Sequence, residues 1–241
     1  QRWSAKKFYQ SIERWYQALP EGAWPNFTLS NHDYFRHYSR YKKGVHSDQR
    51  AKLAITMLLT LRGTPFLYYG EEIGMENTPV PRQKAMDPLE RFPLIPGRAR
   101  ARTPMQWSAE ANAGFSSHTP WLPVNKNYPS KNVSSQSQRP DSLLQFYKKI
   151  LWLRKETEEL KSGDIEFVHR GEQNLLSYMR TQKEHYWIIL NFSSHSRKID
   201  LATSSYTNVL NQEQYRGHVT IEKYGFRILK KKPDEKSPGQ S

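Results

Sequence analysis

The sequence predicts an α/β fold that passes into a small antiparallel β domain. Apolar residues recur at helical spacing in three stretches, and short strand-like runs alternate with them. Beyond Gly163 the pattern changes to the twofold alternation of half-buried strands. Helices alternating with strands through short connections imply parallel strands joined by crossover helices, a sheet covered on both faces.

Each element has its own local reason. Ser4 stands where an N-cap belongs, and Phe8, Ile12, Trp15 and Leu19 follow at helical spacing before Pro20, which predicts a helix over 5–18. After the turn at Pro20-Glu21-Gly22, the run Asn26-Phe27-Thr28-Leu29-Ser30 reads as a buried strand ending in the polar triplet Asn31-His32-Asp33. Ser47 or Asp48 caps a second helix, apolar nearly all round through Ala51, Ala54, Ile55, Leu58, Leu59 and Leu61, which stops at Gly63. Phe66-Leu67-Tyr68-Tyr69 is a second strand, closed by Gly70-Glu71-Glu72.

The stretch 79–140 holds ten of the fifteen prolines and no sustained period, so a long irregular excursion over 76–140 is expected. Its large apolar residues Phe92, Met105, Trp107, Phe115 and Trp121 argue for an ordered lid or wall. Asp141-Ser142 caps a third helix with Leu143, Tyr147, Ile150, Leu151 and Arg154 on one face, ending before Gly163. Tyr186, Ile188, Leu190 and Phe192, then Val219 and Ile221, alternate as strands do, and the polar tail from Pro233 onward carries nothing to pin it. The expected organisation is 1–162, then a β domain over 163–232, then a disordered tail over 233–241.

Composition narrows the function. A chain of 241 residues with 36% apolar content holds a core, and no apolar run reaches the ~20 residues that span a bilayer. Cysteine is absent, which removes disulfide and thiolate chemistry and fits a reducing compartment. A cytoplasmic location is therefore expected, with secretion the alternative, because Asn26-Phe27-Thr28, Asn132-Val133-Ser134 and Asn191-Phe192-Ser193 are glycosylation sequons. The net charge of +14 favours polyanions, yet the basic residues are scattered and no nucleic-acid module is present, so no nucleic-acid partner is expected.

Asn31-His32-Asp33 puts a carboxylate and an imidazole at the end of a strand, where parallel α/β sheets and barrels gather catalytic groups. By itself such a triplet is more often a turn or a helix cap than a site. Its surroundings decide. Leu29-Ser30-Asn31-His32-Asp33, followed by Arg36 and by Ser39-Arg40, resembles the fourth signature region of the α-amylase family. Gly63-Thr64-Pro65-Phe66-Leu67-Tyr68-Tyr69-Gly70-Glu71-Glu72-Ile73-Gly74-Met75 resembles that family's eighth barrel strand and the loop after it. Arg102-Thr103-Pro104-Met105-Gln106-Trp107, with Asn112-Ala113-Gly114-Phe115 behind it, is similar to the α-glucosidase and oligo-1,6-glucosidase branch. The three motifs stand in the family's order over about 1–230.

The resemblance implies the C-terminal part of a (β/α)8 TIM barrel followed by a small antiparallel β-sandwich, with strands seven and eight at 27–31 and 65–69 and helix six at 5–18. It implies a retaining exo-acting glycoside hydrolase that takes α-linked oligosaccharides or disaccharides, with no cofactor and no metal. Retaining hydrolysis uses a carboxylate nucleophile and a carboxylic acid about 5 Å apart. In the family these come from strands four and five, upstream of residue 1, so this chain is expected to be inactive alone. Asp33 is implied to be the third carboxylate, which stabilises the transition state, and His32 a donor to the same sugar. Arg36 and Arg102 are implied to bind substrate or pair with carboxylates around the site, and Glu71 and Glu72 to be framework; Phe115, Trp121, Tyr68 and Tyr69 could stack on sugars, yet an apolar wall is their default reading. One departure stands out: Ala99, amid Arg98, Arg100 and Arg102, occupies a position where related sequences commonly carry Asp. That change and the absent catalytic pair keep a second reading open, a non-catalytic amylase-like escort of the transporter-heavy-chain type. A polyanion-binding protein, motivated by charge alone, is the third.

Overall fold

The computed structural model describes residues 2–84, 86 and 97–233. Phe92 and most of the tail lie outside the described residues. The chain divides into two compact units that do not follow chain order: one comprises 1–25, 59–63 and 154–241, the other 26–58 and 64–153.

In the first unit the opening helix α1 (Ala5–Ala18) has the expected bounds, with Ser4 as its N-cap residue. It buries Phe8 and Ile12, while Trp15 stays 42% exposed. The aromatic neighbours explain the departure. Phe8 packs on Phe192 with ring centroids 5.2 Å apart, and Tyr9 and Tyr16, not Trp15, turn toward Phe167. Trp3 adds a hydrogen bond from its indole to the Phe192 carbonyl at 3.0 Å.

Six strands complete this unit: β3 (Asp164–Arg170), β4 (Leu175–Thr181), β5 (His185–Asn191), β6 (Arg197–Asn208), β7 (Gln214–Ile221) and β8 (Phe226–Lys231), numbered after two strands of the other unit. They form one antiparallel sheet in the order β3-β4-β5-β8-β6-β7. Register shifts in β6 between Asp200 and Ser205 bend that long strand. Trp187, Ile189, Ile199, Val219, Ile221 and Leu229 fill one apolar cluster inside the sheet. Gly171, in the tight turn after β3, has φ +107°, and a Cβ there would come within 2.3 Å of the Lys6 backbone, so only glycine fits.

In the second unit β1 (Asn26–Thr28) and β2 (Thr64–Phe66) pair in parallel, Phe27 opposite Pro65. Both are shorter than expected, the second for a hydrogen-bonding reason. The Tyr68 carbonyl is taken by the Glu71 amide and the Tyr69 carbonyl by the Arg36 guanidinium, which withdraws the end of the second run from any ladder. Phe66 and Leu67 are 54% and 42% exposed, unusual in a parallel pair, whose strands are normally covered on both faces. A short helix α2 (His37–Arg40) follows β1, and α3 (Ser47–Thr60) is buried along most of its length, with Leu53, Ala54, Ile55 and Leu59 fully inside.

The described part of the irregular excursion is ordered by side-chain-to-backbone bonds. Asn132 caps α4 (Val133–Ser137) by accepting the Ser135 amide at 2.7 Å. Gln136 donates to the Ile73 carbonyl at 2.9 Å and accepts the Leu144 amide at 3.1 Å, fixing the loop to α5 (Leu143–Glu156). Ile73, Met75, Met105 and Leu144 form the apolar cluster around these bonds. The brief helix α6 (Glu158–Lys161) follows α5.

Candidate active site

The carboxyl end of β1 opens into a loop whose shape is set by Asn31. Its side-chain oxygen accepts the amides of Asp33 and Tyr34, each at 2.9 Å, an Asx turn that sends the next side chains outward. The Asp33 side chain is 43% exposed and that of His32 67%. His32 Nε2 lies 3.5 Å from Asp33 Oδ2.

Two arginines converge on the other carboxylate oxygen. Arg98 Nη1 and Arg102 Nη2 each donate to Asp33 Oδ1 at 3.0 Å, and Arg102 Nε donates to the His32 carbonyl at 2.8 Å. Arg102 thus grips both the side chain and the backbone of the loop, a fork a lysine cannot reproduce. Desolvation pushes the Asp33 carboxyl up, but the Arg98 and Arg102 hydrogen bonds and the His32 and Arg98 charges outweigh it and hold the group below its ordinary 3.8. Asp33 is therefore an ionised, solvent-accessible carboxylate of fixed orientation.

Arg98 was not singled out by sequence; the alternation Arg98, Arg100, Arg102 was the available signal. The turn Arg98–Ala101 buries Ala99 at 6% exposure, and Arg98 and Arg102 find their carboxylate at Asp33.

Arg36 corrects the expectation of substrate binding. It is 1% exposed, with Nη2 on the Ala101 carbonyl at 2.8 Å, Nη1 on the Tyr69 carbonyl, and its guanidinium 4.9 and 4.5 Å from the Tyr68 and Tyr69 ring centroids. Nothing in solution reaches it; its chemistry is to tie the loops after β1 and β2 to the Arg98–Ala101 turn. Glu71 is likewise enclosed, 3.3 Å from His37 Nδ1. Burial, then the Glu71 charge, raises the Glu72 carboxyl above its ordinary value. Glu72 lines a cleft of about 510 Å³ with Tyr69, Arg102, Trp107, Phe115 and Trp121. Arg102 joins this cleft to Asp33.

The comparisons with known proteins agree with this architecture. The chain is 34% identical over 213 residues to an oligo-1,6-glucosidase of Parageobacillus thermoglucosidasius, covering 79% of this chain and 38% of that protein. It is 36% identical over 208 residues to maltase A1 of Drosophila melanogaster, covering 82% and 34%. Among solved structures, the trehalulose synthase MutB of Pseudomonas mesoacidophila MX-45 superposes with TM-score 0.83 at 28% identity, over 95% of this chain and 47% of that one. The isomaltulose synthase PalI of Klebsiella sp. LX3 gives TM-score 0.84 at 26% identity, over 96% and 47%. The fold class is thus that of these barrel enzymes: part of a (β/α)8 barrel followed by an antiparallel β domain. The chain spans well under half the length of the curated relatives it matches. Residues 177–231 match the beta-galactosidase C-terminal domain. Residues 1–163 match the alpha amylase catalytic domain, and the chain belongs to that family.

Proposed function

We propose that this chain is part of a retaining, exo-acting α-glucosidase of the oligo-1,6-glucosidase kind, which releases glucose from short α-glucosides. The observation that carries the reading is Asp33, an accessible carboxylate kept ionised by Arg98 and Arg102 at the carboxyl end of a parallel strand. A carboxylate so placed accepts hydroxyl hydrogen bonds from a sugar ring, and such bonds strengthen as the ring flattens toward the oxocarbenium-like transition state. His32 supplies a donor to the same ring. Arg102, at the mouth of the aromatic cleft, faces the neighbouring sugar. The nucleophile and the acid/base belong to strands four and five of the barrel, with 1–162 its C-terminal part, 163–232 the accessory β domain and 233–241 a tail.

The test is Asp33→Asn in the protein at its natural length, assayed on isomaltose and 4-nitrophenyl α-glucoside. Turnover falls by about a hundredfold or more while KM changes little. An unchanged kcat removes Asp33 from the mechanism. A second reading draws on the solved relatives, a trehalulose synthase and an isomaltulose synthase, one of them crystallised with sucrose. On it the glucosyl group passes to a sugar instead of water, and sucrose yields an isomer in place of free glucose.

A further inference from the structure

Behind Asp33 lies a buried polar group that the proposed chemistry leaves unused. Ser30 Oγ accepts the His37 amide at 2.8 Å and sits 3.2 Å from His37 Nδ1, so the loop carrying Asn31, His32 and Asp33 is closed at its base. His37 Nδ1 is also 3.3 Å from Glu71 Oε1, with both side chains essentially inaccessible. Glu71 belongs to the turn Glu71–Ile73 that follows β2. The contact therefore joins the loop after one strand to the turn after the other.

The Glu71 side chain, this deep and with no hydrogen-bond donor of good geometry on either oxygen, has the His37 ring as its close polar neighbour. The titratable groups around it are His37, Arg36, Glu72 and Tyr147. Arg36 is tied to carbonyls, and the fully buried Tyr147 phenol is pushed well above its ordinary value by desolvation and by the Glu71 and Glu72 charges. His37 is the basic group in direct contact.

We propose that His37 and Glu71 are positioning residues for Asp33: with Ser30 they clasp the base of its loop and key it to the turn after β2. The inference deepens the glycosidase reading and rests on it for its catalytic consequence. A carboxylate acting on a transition state loses rate when it is displaced by a fraction of an ångström, while ground-state binding of the sugar suffers less. The pair thus governs kcat more than KM.

Two measurements test it. In the protein at its natural length, amide hydrogen exchange of Asp33 and Tyr34 is compared between wild type, Glu71→Ala, Glu71→Gln and His37→Gln, with amides of β5 as reference. Exchange at 33 and 34 rises about tenfold in Glu71→Ala and less in the two isosteric variants, while β5 is unchanged. Equal protection in a folded Glu71→Ala chain overturns the proposal; if that variant does not fold, the same comparison in Glu71→Gln decides. In the protein at its natural length, Glu71→Gln lowers kcat about tenfold with KM held within about twofold. A wild-type protein without glucosidase activity refutes the glycosidase reading instead, and the exchange experiment still decides the clasp.

Discussion

Arg98 and Arg102 share one oxygen of Asp33, with His32 beside the other. The consequence is a carboxylate that remains charged into acid. The sign follows from its direction: a carboxyl depressed in the folded state adds stability above its ordinary 3.8 and loses it as pH falls through the lower folded value. Because the group is exposed, its importance is orientation and charge more than stability. Replacing Arg98 with alanine raises the Asp33 titration toward 3.8, read by carboxyl-carbon NMR; an unmoved titration means that Arg98 does not tune the group. At this scale Asn31, His32 and Asp33 drew notice through the family motif around them, since a polar triplet closing a strand-like run is by itself more often a turn, and Asn31 does form one. Arg36 was misread because a guanidinium suits a buried carbonyl as well as a sugar. The contact of His37 with Glu71 had no local signal, since its partners are brought together only by strand pairing.

The elements show where sequence patterning is a sufficient guide. Helix α1 has a cap residue, a periodic face and a terminating proline, and its bounds are those expected. The end of α3 is marked in the sequence by Gly63, and two arginines from elsewhere in the chain answer for its last carbonyls. Arg154 donates to the Leu59, Leu61 and Gly63 carbonyls at 2.6, 3.2 and 2.6 Å. Arg180 donates to those of Thr60, Leu160, Gly163 and Asp164. Two cations at a helix C-terminus oppose its dipole and satisfy carbonyls that the helix cannot. Desolvation pushes the Arg180 guanidinium down to about 10, so it is still protonated at neutral pH. Arg180→Met strips several buried carbonyls of their donor and costs about 3 kcal/mol, read by urea unfolding. A loss under about 1 kcal/mol would show that water replaces the guanidinium. The turn Glu71–Ile73 is bracketed by the left-handed Gly70 and Gly74, as the closing Gly70-Glu71-Glu72 led one to expect, whereas the turn Arg98–Ala101 was not legible, because the distant Arg36 holds its Ala101 carbonyl.

For the whole molecule, the contrast is between a six-stranded sheet with its own apolar cluster and a parallel pair with open faces. No described helix is long and apolar enough to cross a membrane. This chain alone is expected to hydrolyse no 4-nitrophenyl α-glucoside, and its β1 and β2 amides to exchange much faster than those of β4 and β5. Measurable hydrolysis by the purified chain would overturn the placement of the nucleophile and acid elsewhere.

The position of β8 has a consequence for biosynthesis. Of the described strands, the last in chain order is the one seated between β5 and β6. Until it leaves the ribosome, β3-β4-β5 and β6-β7 are two separate ribbons, each with an unsealed edge that a neighbouring nascent chain can join. A chain truncated ahead of residue 226 therefore yields sticky halves of a sheet, and the integrity of this sheet turns on one six-residue strand.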